Sequence, residues 1–156
     1  MAGTLTPEAR SAHMRRVLGA DTLPERTVRA LLHGAGFRFR LHRKDLPGRP
    51  DIVLPRYRTV VLVHGCFWHR HPGCRASRVP STRPAWWEAK LARNVERDRE
   101  VAEALVAAGW RVVVVWECET RPAGRAALSA RLTALLRGDG GQGPSPEELA
   151  GIVPGQ

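Results

Sequence analysis

The chain has 156 residues, 43% of them hydrophobic, and 25 Lys and Arg against 15 Asp and Glu give it a net charge of +10. That length suits one domain with a real core; no apolar stretch approaches the ~20 residues of a membrane span, and the N-terminus lacks the apolar run of a signal peptide. A cytoplasmic setting is therefore expected, and because the cationic excess is almost wholly arginine, whose planar fork suits phosphate, so is a polyanionic partner.

Residues 1–20 read as a short basic arm or helix, with Met14 and Val17 set among Arg10, Arg15 and Arg16. Such a segment either frays or orders against nucleic acid. Next, Asp21-Thr22-Leu23-Pro24-Glu25 supplies N-cap candidates and a first-turn proline for a helix with Val28, Leu31 and Leu32 at helical spacing, ended by Gly34 and Gly36. Phe37, Phe39 and Leu41 then alternate with Arg38, Arg40 and His42, the period of a half-buried strand with a basic outer face. A Pro47-Gly48 turn leads to Asp51 and two β-branched runs, residues 52–54 and 60–63, joined by a basic turn at 55–58. These predict a hairpin of core strands.

The loop after Cys74 gives way at Pro84 to a long helix reaching about residue 108, with Trp87, Leu91, Val95, Ala102 and Leu105 on one face. Asn94 and Asp98 fall inside that apolar stripe, and a carboxylate there needs a partner: either one of the many arginines or an active-site group. Residues 111–116, RVVVVW, predict another core strand, and Leu128, Leu132 and Leu135 mark a last helix. The Gly- and Pro-rich residues 138–156 predict a disordered tail. One folded domain over residues 21–137 is therefore expected, an α/β fold with a mixed central sheet flanked by helices, the long helix crossing between two parallel strands.

The chemistry is concentrated between Gly48 and Cys74. Cys66, His71 and Cys74 have the spacing C-x4-H-x2-C, and Cys118, the one other cysteine, follows a strand expected beside the hairpin. Three thiolates and an imidazole are a closed tetrahedral set for structural zinc, and an odd cysteine count fits a disulfide framework poorly. Asp51 suits a hard divalent ion such as magnesium. Its place after Gly48-Arg49-Pro50 matches the "PD" of the PD-(D/E)xK nucleases, although the next strand is apolar up to His64, with no (D/E)xK triplet. A nuclease built this way would use histidine, with His69 as acid/base. Phe67-Trp68 and Trp86-Trp87, beside a basic surface, either rim the core or wedge between bases, a step cheapest at a mismatch.

Taken together, LPGRPDIV (46–53), VHGCFWHRH (63–71), NVERDR (94–99) and GWRVVVVWEC (109–118) resemble the very short patch repair endonucleases over most of the chain. The resemblance implies a PD-(D/E)xK restriction-endonuclease-like fold with a structural zinc held by Cys66, His71, Cys74 and Cys118. It implies magnesium-dependent nicking of double-stranded DNA on the 5′ side of the mispaired T in T·G mismatches left by deamination of 5-methylcytosine. Asp51 and the main-chain carbonyl of Val63 would bind magnesium. His69, paired with Asp98, would be the general acid/base, and His64 and Glu25 would order the surrounding water. Phe67, Trp68 and Trp87 would enter from the major groove and Met14 from the minor groove. A functional link to a DNA cytosine-5 methyltransferase, a mismatch-repair helper protein and a monomeric enzyme are expected. The rival readings are a non-catalytic, zinc-stabilised DNA-binding module and a restriction-type nuclease that cuts paired DNA.

Overall fold

The computed structural model describes residues 21–138. The expected N-terminal arm with Met14, and the tail from residue 139 onward, lie outside the described residues. Within them, α1 spans Leu23–Gly34, β1 Arg40–Leu41, β2 Ile52–Leu54, β3 Thr59–His64, α2 Pro84–Ala107, β4 Arg111–Trp116 and α3 Arg125–Arg137. The expected α/β architecture is present, α2 and β4 fall within a residue or so of the predicted bounds, and α3 carries the three leucines that mark the last helix. At the start of α1, Thr22 caps the first turn by accepting the Glu25 N–H, and Pro24 occupies a position where no N–H is missed.

The four strands form one mixed sheet in the order β1-β2-β3-β4. β2 and β3 are the expected antiparallel hairpin, with Ile52 opposite Val61 and Val53 opposite Val60. β3 and β4 run parallel, from Thr59 beside Arg111 to His64 beside Trp116, and α2 makes the crossover between them. Because successive side chains on a strand point to opposite faces, these continuous apolar runs feed two cores. On one face Ile52, Leu54, Val61, Val113 and Val115 pack against Val28 and Leu32 of α1 and Leu128, Leu132 and Leu136 of α3. On the other, Val53, Val60, Leu62 and Val112 meet Ala102 and Leu105 of α2. The sheet is thus a middle layer between α1 with α3 and α2 alone.

Strand β1 is shorter than its alternation predicts. Only Arg40 and Leu41 pair with β2, and Leu41 is 41% exposed. Gly36, at φ +92°, turns Phe37 into the core before the chain reaches the sheet, where its ring meets Tyr57 edge-on at 5.3 Å. His42 does not continue the strand's outer face either, since it takes a left-handed φ of +44°.

Two features position the site. Gly48, at φ +69°, lies so close to α2 that a Cβ there would come within 2.4 Å of Val101 Cγ1. The turn before Asp51 therefore needs glycine on both conformational and steric grounds. The parallel pairing of β3 with β4 also sets His64 and Trp116, the last residues of each strand, side by side at the C-terminal end of the pair.

Candidate active site and metal cluster

The 65–74 loop that follows β3 is fastened to α2 by the two polar residues of its otherwise apolar stripe. Asn94 Nδ2 donates to the Trp68 carbonyl at 3.1 Å, and Asp98 Oδ2 lies 2.5 Å from His69 Nδ1. The partner that Asp98 requires is therefore a histidine and not an arginine. A carboxylate at Nδ1 holds the proton on that nitrogen, which leaves His69 Nε2 as the acceptor. His69 in turn stacks on His64, with ring centroids 4.0 Å apart and planes 5° from parallel. His64 is 5% exposed, and its Nδ1 has no hydrogen-bond partner among the described residues. Burial, and then the repulsion it would meet from His69 whenever that ring is protonated, hold the His64 imidazole well below its usual pKa, so it is neutral.

Asp51 enters β2 beside this pair. Its Oδ2 accepts the Val63 N–H at 2.8 Å, tying the acid to the neighbouring strand. Burial pushes its pKa up to about 6, reinforced by the Glu25 charge and opposed by the Val63 N–H, His42 and His69. Glu25 is itself buried. Its Oε2 accepts from the Asp21 N–H and from Arg29 Nη2, both at 3.1 Å, and Arg29 also grips Asp21. Glu25, Asp51, His69, Asp98, Phe67 and Trp68 all line a single cleft of about 1150 Å³.

The rings of Phe67, Trp68 and Trp87 form a cluster at the cleft, with centroid separations of 5.0, 5.4 and 6.0 Å. Edge-to-face and tilted contacts of this kind give large rings a fixed mutual geometry. Trp86 stands outside this triangle, 50% exposed, with its ring on Trp87 and under Lys90.

Behind the loop, Cys66, His71, Cys74 and Cys118 converge, their ligand atoms all within 4.8 Å of one another, a group that could hold a metal ion. His71 Nδ1 lies 3.6 Å from Cys66 Sγ and 3.5 Å from Cys118 Sγ. Burial pushes the Cys66 thiol up to about 12 and raises Cys118 as well, while burial lowers His71 and keeps it neutral. Thiols this reluctant to ionise alone are the kind a cation turns into thiolates.

A family model described as DNA mismatch endonuclease Vsr matches residues 2–75. The chain is 52% identical over 136 residues to the type II nicking enzyme V.XorIIP of Xanthomonas oryzae pv. oryzae, covering 87% of this chain and 98% of that one. It is 43% identical over 143 residues to the DNA mismatch endonuclease Vsr of Escherichia coli, covering 90% and 91% respectively. This chain belongs to the Vsr family. It is accordingly a DNA endonuclease, and the non-catalytic module falls away as a rival. The matched span holds Glu25, Asp51, His64, Cys66, His69, His71 and Cys74, whereas Asp98 and Cys118 come from beyond it. Among the described residues, no helix of this Vsr-family chain is long and apolar enough to cross a membrane.

The site residues expected from the sequence, apart from Met14, fall into these two adjoining groups. Three others were not anticipated. Arg29 clamps Glu25, and His42 reaches the Glu25–Asp51 side of the cleft. Trp116 lies between the groups, stacked on His71 at 4.3 Å and edge-on to His64 at 5.4 Å. The only sequence signal for Trp116 is its position next to Glu117 and Cys118 at the end of an apolar strand.

Proposed function

We propose that this protein nicks double-stranded DNA on the 5′ side of the mispaired T in T·G mismatches arising from deamination of 5-methylcytosine. The observation that carries the reading is the convergence, in one cleft, of Asp51, the His69–Asp98 pair and the rings of Phe67 and Trp68, on which Trp87 packs from behind. Asp51, helped by the Val63 carbonyl, would hold magnesium. A buried carboxylate with a raised pKa and one oxygen anchored to the backbone suits a hard cation. When bound, such an ion polarises the scissile phosphate and neutralises charge that develops on it.

The chain's own groups supply the remainder. His69, with its Nδ1 proton held by Asp98, presents Nε2 to take a proton from the attacking water. Neutral His64 keeps the His69 ring in plane by stacking, and Glu25 orders water at the cleft floor. Phe67, Trp68 and Trp87 would enter the major-groove side at the mismatch, where a mispaired step costs least to unstack, with Met14 approaching from the minor groove. The helix, three-strand meander, crossover helix and parallel strand support a PD-(D/E)xK-like fold whose usual acid and lysine have given way to histidine.

Zinc is the ion that best fits the Cys66–His71–Cys74–Cys118 group. Zn–S bonds of about 2.3 Å and a Zn–N bond of about 2.0 Å at tetrahedral angles place sulfur and nitrogen about 3.5 Å apart, and the two separations from His71 are 3.6 and 3.5 Å. With four protein ligands the site has no open position, so the role is structural. A cytosine-5 methyltransferase and a mismatch-repair helper are the partners this function calls for. The test is a nicking assay on end-labelled duplexes that differ in one pair, T·G against T·A, with magnesium or EDTA, in several methyltransferase sequence contexts. A magnesium-dependent single-strand nick 5′ to the mispaired T is expected. Equal cutting of the T·A duplex would instead make this a restriction-type nuclease.

A further inference from the structure

His42 has no part in the reading above, yet it lies on the cleft side of the sheet edge. One ligand atom each from Glu25, His42 and Asp51 falls within 4.8 Å of the others. Metal–ligand bonds of about 2.0–2.2 Å place the ligands of one ion roughly 3 to 4.4 Å apart, so this grouping is compatible with a common cation. The hydrogen bonds that the described residues give to the two carboxylates all fall on Glu25 Oε2 and Asp51 Oδ2, so Glu25 Oε1 and Asp51 Oδ1 are the oxygens left over.

His42 is poorly explained as a simple hydrogen-bond donor to Glu25. Its Nε2 stands 3.4 Å from Glu25 Oε2, an oxygen already taken by the Asp21 N–H and Arg29, and that is longer than a well-formed N–H···O bond. The backbone goes to some length to put the imidazole there. His42 leaves β1 in the left-handed region, φ +44°, and its N–H reaches back to the Asp51 carbonyl at 3.4 Å. Left-handed backbone is uncommon for any residue but glycine, although histidine enters it more readily than most, and it carries a modest energetic cost.

We propose that His42 is a nitrogen ligand of the divalent-cation site, forming with Asp51, and with Glu25 reached through an ordered water, a mixed N/O set that favours manganese over magnesium. The proposal rests on the assignment of Asp51 as metal ligand made above. Its chemical basis is that imidazole suits transition-metal ions and adds little for magnesium, which prefers oxygen and retains its waters.

The test uses the full-length, zinc-loaded chain. Mn²⁺ binding is followed by the EPR signal of the free ion, Mg²⁺ affinity is obtained by competition, and nitrogen coupling to bound Mn²⁺ is read by electron spin-echo modulation. His42→Asn is the first variant, because asparagine tolerates the left-handed backbone and is too short to reach the ion; His42→Gln is the second. Both should lose about tenfold in Mn²⁺ affinity and the nitrogen modulation, while Mg²⁺ affinity stays within about threefold. Asp51→Asn should weaken binding of both ions. If Asp51→Asn weakens binding but both His42 variants keep the wild-type Mn²⁺/Mg²⁺ ratio and the nitrogen signal, the His42 ligand is overturned and the Asp51 assignment stands. If Asp51→Asn leaves Mn²⁺ binding intact, the assignment fails and the His42 proposal with it.

Discussion

Asp98, on the inward face of α2, sits 2.5 Å from His69 Nδ1 across the gap between helix and loop, and so fixes both the orientation and the tautomer of the imidazole. If His69 is the acid/base, Asp98→Asn should lower kcat by about 10²–10⁴ while changing mismatch affinity little, since an amide can offer its N–H and so favour the wrong tautomer. Single-turnover nicking alongside gel-shift titration separates the two quantities. An Asp98→Asn enzyme with wild-type kcat would reduce the pair to a structural ion pair.

Asp51 should be a group that costs stability until it meets a cation. Its folded pKa of about 6 lies above the ordinary 3.8 because of burial first and the Glu25 charge after it. A raised carboxylate contributes stability that is fully present below its unfolded pKa and is lost as pH rises through about 6. Asp51→Asn, whose side-chain oxygen can still accept the Val63 N–H, should therefore be more stable than wild type at pH 7.5 without added magnesium, by on the order of 2 kcal/mol, and the difference should vanish near pH 4. Urea unfolding of the two proteins across that range checks it. The same substitution should abolish nicking, and magnesium binding by wild type should weaken below about pH 6 as the proton competes.

Much of this was legible in the sequence because the groups that meet in space are also close in the chain. The stretch from Gly48 to Cys74 supplies Asp51, His64, Cys66, His69, His71 and Cys74, and its two β-branched runs declare the hairpin that carries them. Asp98 announced itself as a carboxylate in an apolar stripe, although hydropathy could not say whether arginine or histidine would meet it. Period-two alternation placed His42 on an outer strand face, because alternation carries no information about a single left-handed residue that redirects the chain. In the sequence Trp116 is one more apolar strand residue, and its position between His64 and His71 follows only from the parallel register of β3 on β4.

Gly48 should not tolerate a side chain. Alanine there meets Val101 Cγ1 at 2.4 Å and must also hold φ +69°, so Gly48→Ala should cost about 2 kcal/mol or more. Adding Val101→Ala removes the collision but not the backbone strain, so the double variant should recover only part of the loss, as thermal denaturation would reveal. Full recovery would assign the whole effect to sterics.

The Cys66–His71–Cys74–Cys118 group should bind its metal more tightly as pH rises, because burial holds Cys66 at about 12 and raises Cys118, and the ion must displace those protons. Cys118→Ser should purify with less than one equivalent of zinc and lose several kcal/mol, a large share of the roughly 5–15 kcal/mol typical of a domain. Elemental analysis and urea unfolding give the two readouts. Retention of full stability by zinc-free Cys118→Ser would remove the structural role.

The aromatic cluster makes the sharpest distinction between neighbouring residues. Trp87 packs on both Phe67 and Trp68, whereas Trp86 touches only Trp87 within this group and is half exposed. If the Phe67–Trp68–Trp87 triangle enters the mismatch as a unit, Trp87→Ala should weaken T·G binding by about 10- to 100-fold, the ~1–3 kcal/mol of a lost stacking contact. Its effect on T·A binding should be much smaller, because phosphate contacts by arginine dominate there. Combining Trp87→Ala with Phe67→Ala should fall short of additivity, since each ring positions the other. Trp86→Ala should change discrimination little. Fluorescence titration with matched duplexes decides, and a larger loss of discrimination in Trp86→Ala than in Trp87→Ala would move the wedge to the outer ring.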